Sequence, residues 1–409
     1  MKAVVKQVED VHLPGIDRLR TLVYPHYPGA YDTGWHAKVW RWLSSHPAAE
    51  EMRRWVLVTE EDEVVGHLAA TPQYYRIVGR RVVAHTPADY QVLPEYGFQA
   101  LSLMRTFFRN AENCVACDMI PAVISVEERL GAGNVGKLRY AAKMLDVSRL
   151  PAPPIPAPLQ RFLKLQQEAA PAQAPARGYG GYASRVGGDE EIRQGIEPPP
   201  VHPRAPIPQP VKEVLNRGLG VVDEALGGAF GGGFKVVELD HFDESFDEFF
   251  EKVAAVVPCT PEKDAAFLNW RYKGISTTAP VTVLGVRGEE ELLGYAVLKV
   301  AAAGPDEGKD SGILDLTTLP GRHDVARALL RETVRHFRRI GAHIIRYRFM
   351  SSPTTPRKED LMRFGFFYRD SRRNTLLAKF ASSELDKIAR NADNWSYSIG
   401  DGEATFWAR

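Results

Sequence analysis

The chain has 409 residues, 44% hydrophobic and 25% charged, a globular balance with length enough for two domains. Lys and Arg number 52 and Asp and Glu 51, a net charge of +1 that argues against a broadly basic nucleic-acid surface. Three cysteines are too few for a disulfide framework, no apolar run is long enough to span a bilayer, and the opening "MKAVVKQVEDVHLPG" has no apolar signal core. A cytoplasmic protein without nucleic acid or membrane insertion is the expectation.

In chain order, "WVLVTEEDEVVGHLAA" (Trp55–Ala70) is a β-branched run, an acidic turn and a second apolar run broken by Gly66, which predicts a β-hairpin. "VLPEYGFQALSLMRTFF" (Val92–Phe108) predicts a strand end, a Pro turn and an amphipathic helix. "CVAC" (Cys114–Cys117) lies in an apolar strand-like run with no second Cys pair or His set nearby, so buried small residues are expected and no metal site. His67 and His85 are cleft candidates. Residues 151–210 hold 14 of the 29 prolines and few large apolar residues, a composition that predicts a semi-rigid linker and a docking arm for a protein partner. Within it, "PLQRFLKLQQEAA" (158–170) has the pattern of a short helix. "GGAFGGGF" (Gly227–Phe234) lacks the Lys-Ser/Thr ending of a phosphate loop and predicts a flexible turn before the strand "KVVEL".

"VTVLGVRGEEELLGYAVLKV" (Val281–Val300) then repeats the hairpin pattern, with Gly294 in the place of Gly66. Each half continues with Leu-Pro and a helix, at Leu93-Pro94 and at Leu319-Pro320. In the second half the helix spans 324–340, with Arg327, Arg331, Arg335 and Arg338 expected on a solvated face. One order, hairpin–strand–turn–helix–strand–helix–strand, occurs twice and predicts a duplicated module of mixed α/β class. The expected division is 1–150, a linker over 151–210, and 211–409. Asp89, Tyr90 and Glu95 flank the first Leu-Pro strand, and Asp315 lies inside "ILDLTTL", where an unpaired carboxylate is costly.

Four stretches resemble the GNAT family of acyl-CoA-dependent N-acyltransferases, and more narrowly its tandem members associated with bacterial surface polysaccharide and envelope biosynthesis. They are "LPEYGFQALSLMRTFF", "ERLGAGNVGKLRYAAKMLD" (Glu128–Asp146), "DAAFLNWRY" (Asp264–Tyr272) and "NWSYSIGDGEATFW" (Asn394–Trp407). The resemblance implies α+β architecture: two GNAT-like domains, each a twisted mixed sheet flanked by helices. It implies acetyl-CoA or another acyl-CoA as co-substrate, and a small-molecule or glycan-precursor amine as acceptor. The family loop, Arg/Gln-x-x-Gly-x-Gly/Ala, falls on Gly97, Phe98, Gln99, Ala100, Leu101 and Ser102, so Val92, Leu93, Gly97, Phe98, Gln99, Ala100 and Ser102 are the candidate acyl-CoA residues. The family's catalytic Tyr, four residues before the Gly of the late helix, is replaced by Glu127 in the first half and Leu361 in the second. Asp89, Tyr90 and Glu127 are the catalytic candidates. In the second half Asp324 stands at the central Gly of the loop, which makes the first half the better acyl-CoA candidate. "FLNWRY" reads as an anchor, with Asn269 and Arg271 bonding backbone. Two alternatives stand beside the acyltransferase: an inactive GNAT-fold scaffold, and a Fem-like aminoacyl transferase.

Overall fold

A computed structural model describes residues 2–23, 31–148, 208–274, 281–300 and 310–403. The expected 151–210 linker and its 158–170 helix lie outside the described residues, except at 208–210.

The first half begins with β1 (Ala3–Gln7), α1 (Leu13–Val23) and α2 (Thr33–Ser44). The predicted hairpin follows as β2 (Arg53–Thr59) and β3 (Val64–Ile77). Then come β4 (Arg80–Val92), α3 (Gly97–Asn110), β5 (Cys114–Asp118), α4 (Pro121–Arg129) and β6 (Gly133–Met144). After α5 (Gln209–Phe230), β7 (Val236–Glu238), α6 (Ser245–Ala254), β8 (Cys259–Pro261) and α7 (Ala265–Lys273), the same order returns. It runs β9 (Val281–Arg287), β10 (Leu292–Val300), β11 (Asp310–Thr318), α8 (His323–Arg339), β12 (Ile344–Phe349), α9 (Lys358–Arg363) and β13 (Phe367–Lys379), closed by α10 (Ser383–Ala389).

The mixed α/β architecture is present, and the two expected sheets are joined edge to edge into one. Strand order is β1-β2-β3-β4-β5-β13-β6-β12-β11-β10-β9-β7. The last strand of each half crosses over. β13 pairs β5 as well as β6, and β6 pairs β12 as well as β13. Gly66 and Gly294 occupy matching places on β3 and β10. A Cβ on Gly66 would come within 3.3 Å of Leu103 on α3, and one on Gly294 within 2.9 Å of Val325 on α8. Both glycines therefore let the helix after the Leu-Pro turn sit close on its sheet.

The halves are tied elsewhere too. Trp42 on α2 and Trp270 on α7 stack at 4.6 Å, and each indole N–H donates to the other's backbone carbonyl. Asn269 bonds the backbone of Phe242, and Arg271 donates to the carbonyls of Gly400 and Gly402, as expected of an anchor. Two local readings need correction. Gly227–Phe230 forms the last turn of α5, because Gly227 packs against the Arg331 stem, whose guanidinium takes the carbonyls of Gly231, Gly232 and Phe234. The arginines of α8 are not simply solvated either, since Arg338 also pairs with Asp223 of α5.

Candidate active site

β4 and β5 run parallel but share one register position, His85 with Cys114. Past that point β4 leaves β5 and the sheet opens. The β3–β4 register also shifts there, between His67 and Ala69, so that Asp89 and Tyr90 form a bulge. Asp89 has φ +50°, a left-handed conformation that a non-glycine residue adopts only under constraint. The constraint is visible. Its carboxylate takes two hydrogen bonds from Arg20 of α1, at 2.5 and 3.0 Å, and one from Gln91, and lies 3.3 Å from His67 Nδ1. Burial pushes the Asp89 carboxyl up, but Arg20 and His67 hold it well below the usual range. Its N–H donates to Glu403 at 2.7 Å.

Tyr90 turns the other way. Its hydroxyl donates to the Ala100 carbonyl at 2.8 Å, and burial above all, with the Glu127 carboxyl nearby, raises the phenol and keeps it neutral. Val92 sits opposite Gly66, and the Leu93 N–H bonds Val65. Gly97, Phe98, Gln99, Ala100 and Ser102 lie on the first turns of α3, a helix with no side-chain cap. Gly97 faces open space and Phe98 is fully exposed. The Gln99 side-chain oxygen accepts the Ala3 N–H at 2.9 Å, and Ser102 Oγ donates to the Gln99 carbonyl. The Gly97 N–H donates to the Pro94 carbonyl, so the turn at Pro94–Tyr96 runs directly into α3.

Glu127 on α4 is fully buried, and neither carboxyl oxygen has a hydrogen-bond partner. Burial, with Asp118 and Glu128 adding, pushes its pKa well above the usual range, so the group is a neutral acid. Its carboxyl lies within electrostatic reach of Tyr90 and Cys114. Asp118, the last residue of β5, is also raised, first by burial and further by Glu403. The structure therefore brings Tyr90 and Glu127 together on the α3 side. It puts the Asp89 carboxylate on the α1 side, and Glu403 between the two diverging strands. Arg20 and Glu403 were missed in the sequence because nothing local marks them. They lie 69 and 314 positions from Asp89.

The second half has the matching opening. β11 pairs β12 only from Asp310 to Ile313, and the β10–β11 register shifts at Leu314. Here the chain fills its own gap. Ser398 bridges Phe349, and a Cβ on Gly400 would lie 2.7 Å from the Leu314 carbonyl. Asp315 is paired, as its burial requires: Lys263 bonds Asp315 at 2.9 Å and Asp401 at 3.0 Å, and Tyr295 donates to Asp315 at 2.7 Å. Asp324 is a first-turn residue of α8 and is paired with Arg322. Cys114 and Cys117 are reduced and pack into opposite faces of β5, as fillers. Among the described residues no group of His, Cys, Asp or Glu could hold a metal, and no helix is long and apolar enough to cross a membrane.

No family model and no curated protein matches the sequence. Solved structures do match the fold. A probable N-acyltransferase from Enterococcus faecalis aligns over 94% of this chain and 74% of its own, at 10% identity and a TM-score of 0.54. A GCN5-related N-acetyltransferase from Anabaena variabilis aligns over 92% and 72%, at 12% identity and a TM-score of 0.51. Saccharomyces cerevisiae N-myristoyltransferase with bound myristoyl-CoA aligns over 96% and 89%, at 9% identity and a TM-score of 0.50. With bulged, parting strands followed by a helix N-terminus in both halves, this chain has the fold of the GCN5-related N-acetyltransferase superfamily.

Proposed function

We propose that the protein is an acyl-CoA-dependent N-acyltransferase that uses the opening of its first half, within an N-terminal domain of residues 1–150. The observation that carries this reading is the Asp89 N–H. It is held by a strained, ion-paired bulge at the point where β4 leaves β5, aimed at a carboxylate. Such an N–H can polarise a thioester carbonyl, with the pantetheine arm between the strands and the pyrophosphate at the α3 amides. The filled second opening supports the assignment to the first.

The chemistry follows from two carboxyl groups in unlike surroundings. Glu403 takes a proton from the attacking ammonium as the carbonyl takes over the Asp89 N–H. The amine nitrogen bonds the acyl carbon, the carbon–sulfur bond breaks, neutral Glu127 supplies a proton to the departing sulfur, and the nitrogen gives up its second proton to water to leave the neutral amide. Tyr90 steadies the first turn of α3 beside it. The acceptor is an amine of the envelope-precursor type in a cytoplasmic setting, and the Pro-rich segment 151–210 offers a protein-docking arm.

Thermal unfolding with acetyl-CoA and with a longer acyl-CoA tests the reading. A thioester at about 100 times its Kd adds roughly 2.7 kcal/mol, a shift of several degrees. Gly97→Glu, at a position with open space, places a carboxylate against the pyrophosphate and should abolish the shift while leaving the unliganded Tm intact. A cooperative melt unmoved by any thioester would favour the second reading, a GNAT-fold scaffold whose first opening is closed by Glu403.

A further inference from the structure

Alternate residues on the three central strands face opposite sides of the sheet. Ala141, Tyr347 and Tyr368 belong to the core beneath α8. Their neighbours Tyr140, Arg348 and Arg369 face the other way, with Tyr140 opposite Arg348 on one side and Arg369 on the other. The two guanidiniums lie over the Tyr140 ring, at 5.2 and 4.8 Å from its centroid. Among the described residues neither has a carboxylate within salt-bridge distance; Arg369 donates to the Asp370 carbonyl, and the Asp370 carboxylate goes to Arg139. Arg346 adds a third cation on the same row of β12. Burial and then the neighbouring cations act against the charge of Arg348, partly offset by Tyr140 and Cys117. A half-buried cation crowded by its own kind is held ready for an anion.

The cluster lies beside the proposed site. β5 ends at Asp118, opposite Thr375, and β13 runs on past that end to Arg369. Arg348 is within electrostatic reach of Cys117, the residue before Asp118. An acceptor whose amine meets Glu403 at the end of β5 would lay its other end over Tyr140. We propose that Arg348 and Arg369, flanking Tyr140 beyond the carboxyl end of β5, bind an anionic group of the acceptor, so that the acceptor is an amine that also carries a carboxylate or a phosphate. The inference rests on the acyl-transfer reading for the amine, but not for the anion site.

Three amines of matched length test it: ethanolamine, β-alanine and O-phosphoethanolamine. CoA release from acetyl-CoA should show kcat/KM at least about tenfold higher for one or both anionic amines than for ethanolamine, the worth of one charge-assisted hydrogen bond. The favoured anion names the source, carboxylate or phosphate. Arg348→Met should collapse the ratio toward one through KM, and Arg369→Met should do so in part, which keeps the test open if the first variant fails to fold. Equal turnover of all three amines, or a ratio that survives both substitutions, overturns the proposal. If no amine releases CoA and no thioester binds, the acyl-transfer reading has failed instead. The anion site is then judged by calorimetric titration of the protein with O-phosphoethanolamine and β-alanine. Binding lost in Arg348→Met supports it, and no binding of either overturns it.

Discussion

Asp89 holds a left-handed backbone and a buried negative charge at once, and each needs the other. Arg20 is itself buried, so removing the carboxylate strands a guanidinium in the core. Asp89→Asn should cost about 3–5 kcal/mol in urea unfolding; a loss below 1 kcal/mol would mean that the pair does not hold the bulge. Glu127 behaves in the opposite sense. Its folded pKa lies above its unfolded one, so the folded state binds the extra proton. The stability this contributes is present below the unfolded value and is lost as pH rises toward the folded one. The Tm of wild type relative to Glu127→Gln should therefore fall as pH rises above the ordinary glutamate value of 4.5, with Tyr90, Cys114, Asp118 and Glu128 as the titratable neighbours. On the proposed chemistry the same variant loses about 10²-fold or more in kcat, the usual worth of a general acid, while the acyl-CoA thermal shift is kept. Undiminished kcat would remove Glu127 from the mechanism.

At the scale of elements, one device is used twice and put to different ends. A bulged strand parts from its parallel neighbour, and a glycine on the strand behind admits the following helix. Gly294→Val puts methyl groups into Thr318 and Val325, already 2.9 Å from an added Cβ, and should destabilise by about 1–3 kcal/mol. A shift in the urea midpoint without a change of slope would confirm a local packing cost. The helices after Leu93-Pro94 and Leu319-Pro320 were foreseeable, and the parting of the strands before them was left to the structure. So was what occupies the openings. Asp315 in "ILDLTTL" announces a partner, and that partner is Lys263, which Asp401 shares, with the Tyr295 hydroxyl beside it. The charge balance of such a cluster depends on three segments that meet only in the fold.

For the whole molecule, the exchange of β6 and β13 decides the cooperativity. Residues 1–148 alone would leave β5 without β13 and β6 without both β13 and β12, exposing three unpaired strand edges. Neither 1–148 nor 208–409 should fold alone, and co-expression should recover a complex. Cooperative urea unfolding of the isolated 1–148 fragment would contradict this. The amino-acid sequence by itself determined the elements and their repeated order, because apolar period, Gly and Pro positions act over a few residues. Hairpins at 55–70 and 281–300 and the helices after each Leu-Pro were legible on that basis. Only the tertiary structure decided that both halves share one sheet, since strand hydrogen bonds join backbones whatever their side chains. The same holds for Glu403 reaching the Asp89 N–H, and for Arg348 and Arg369 meeting over Tyr140. Those groups are far apart in the chain, and only packing brings their charges within a few ångströms of one another.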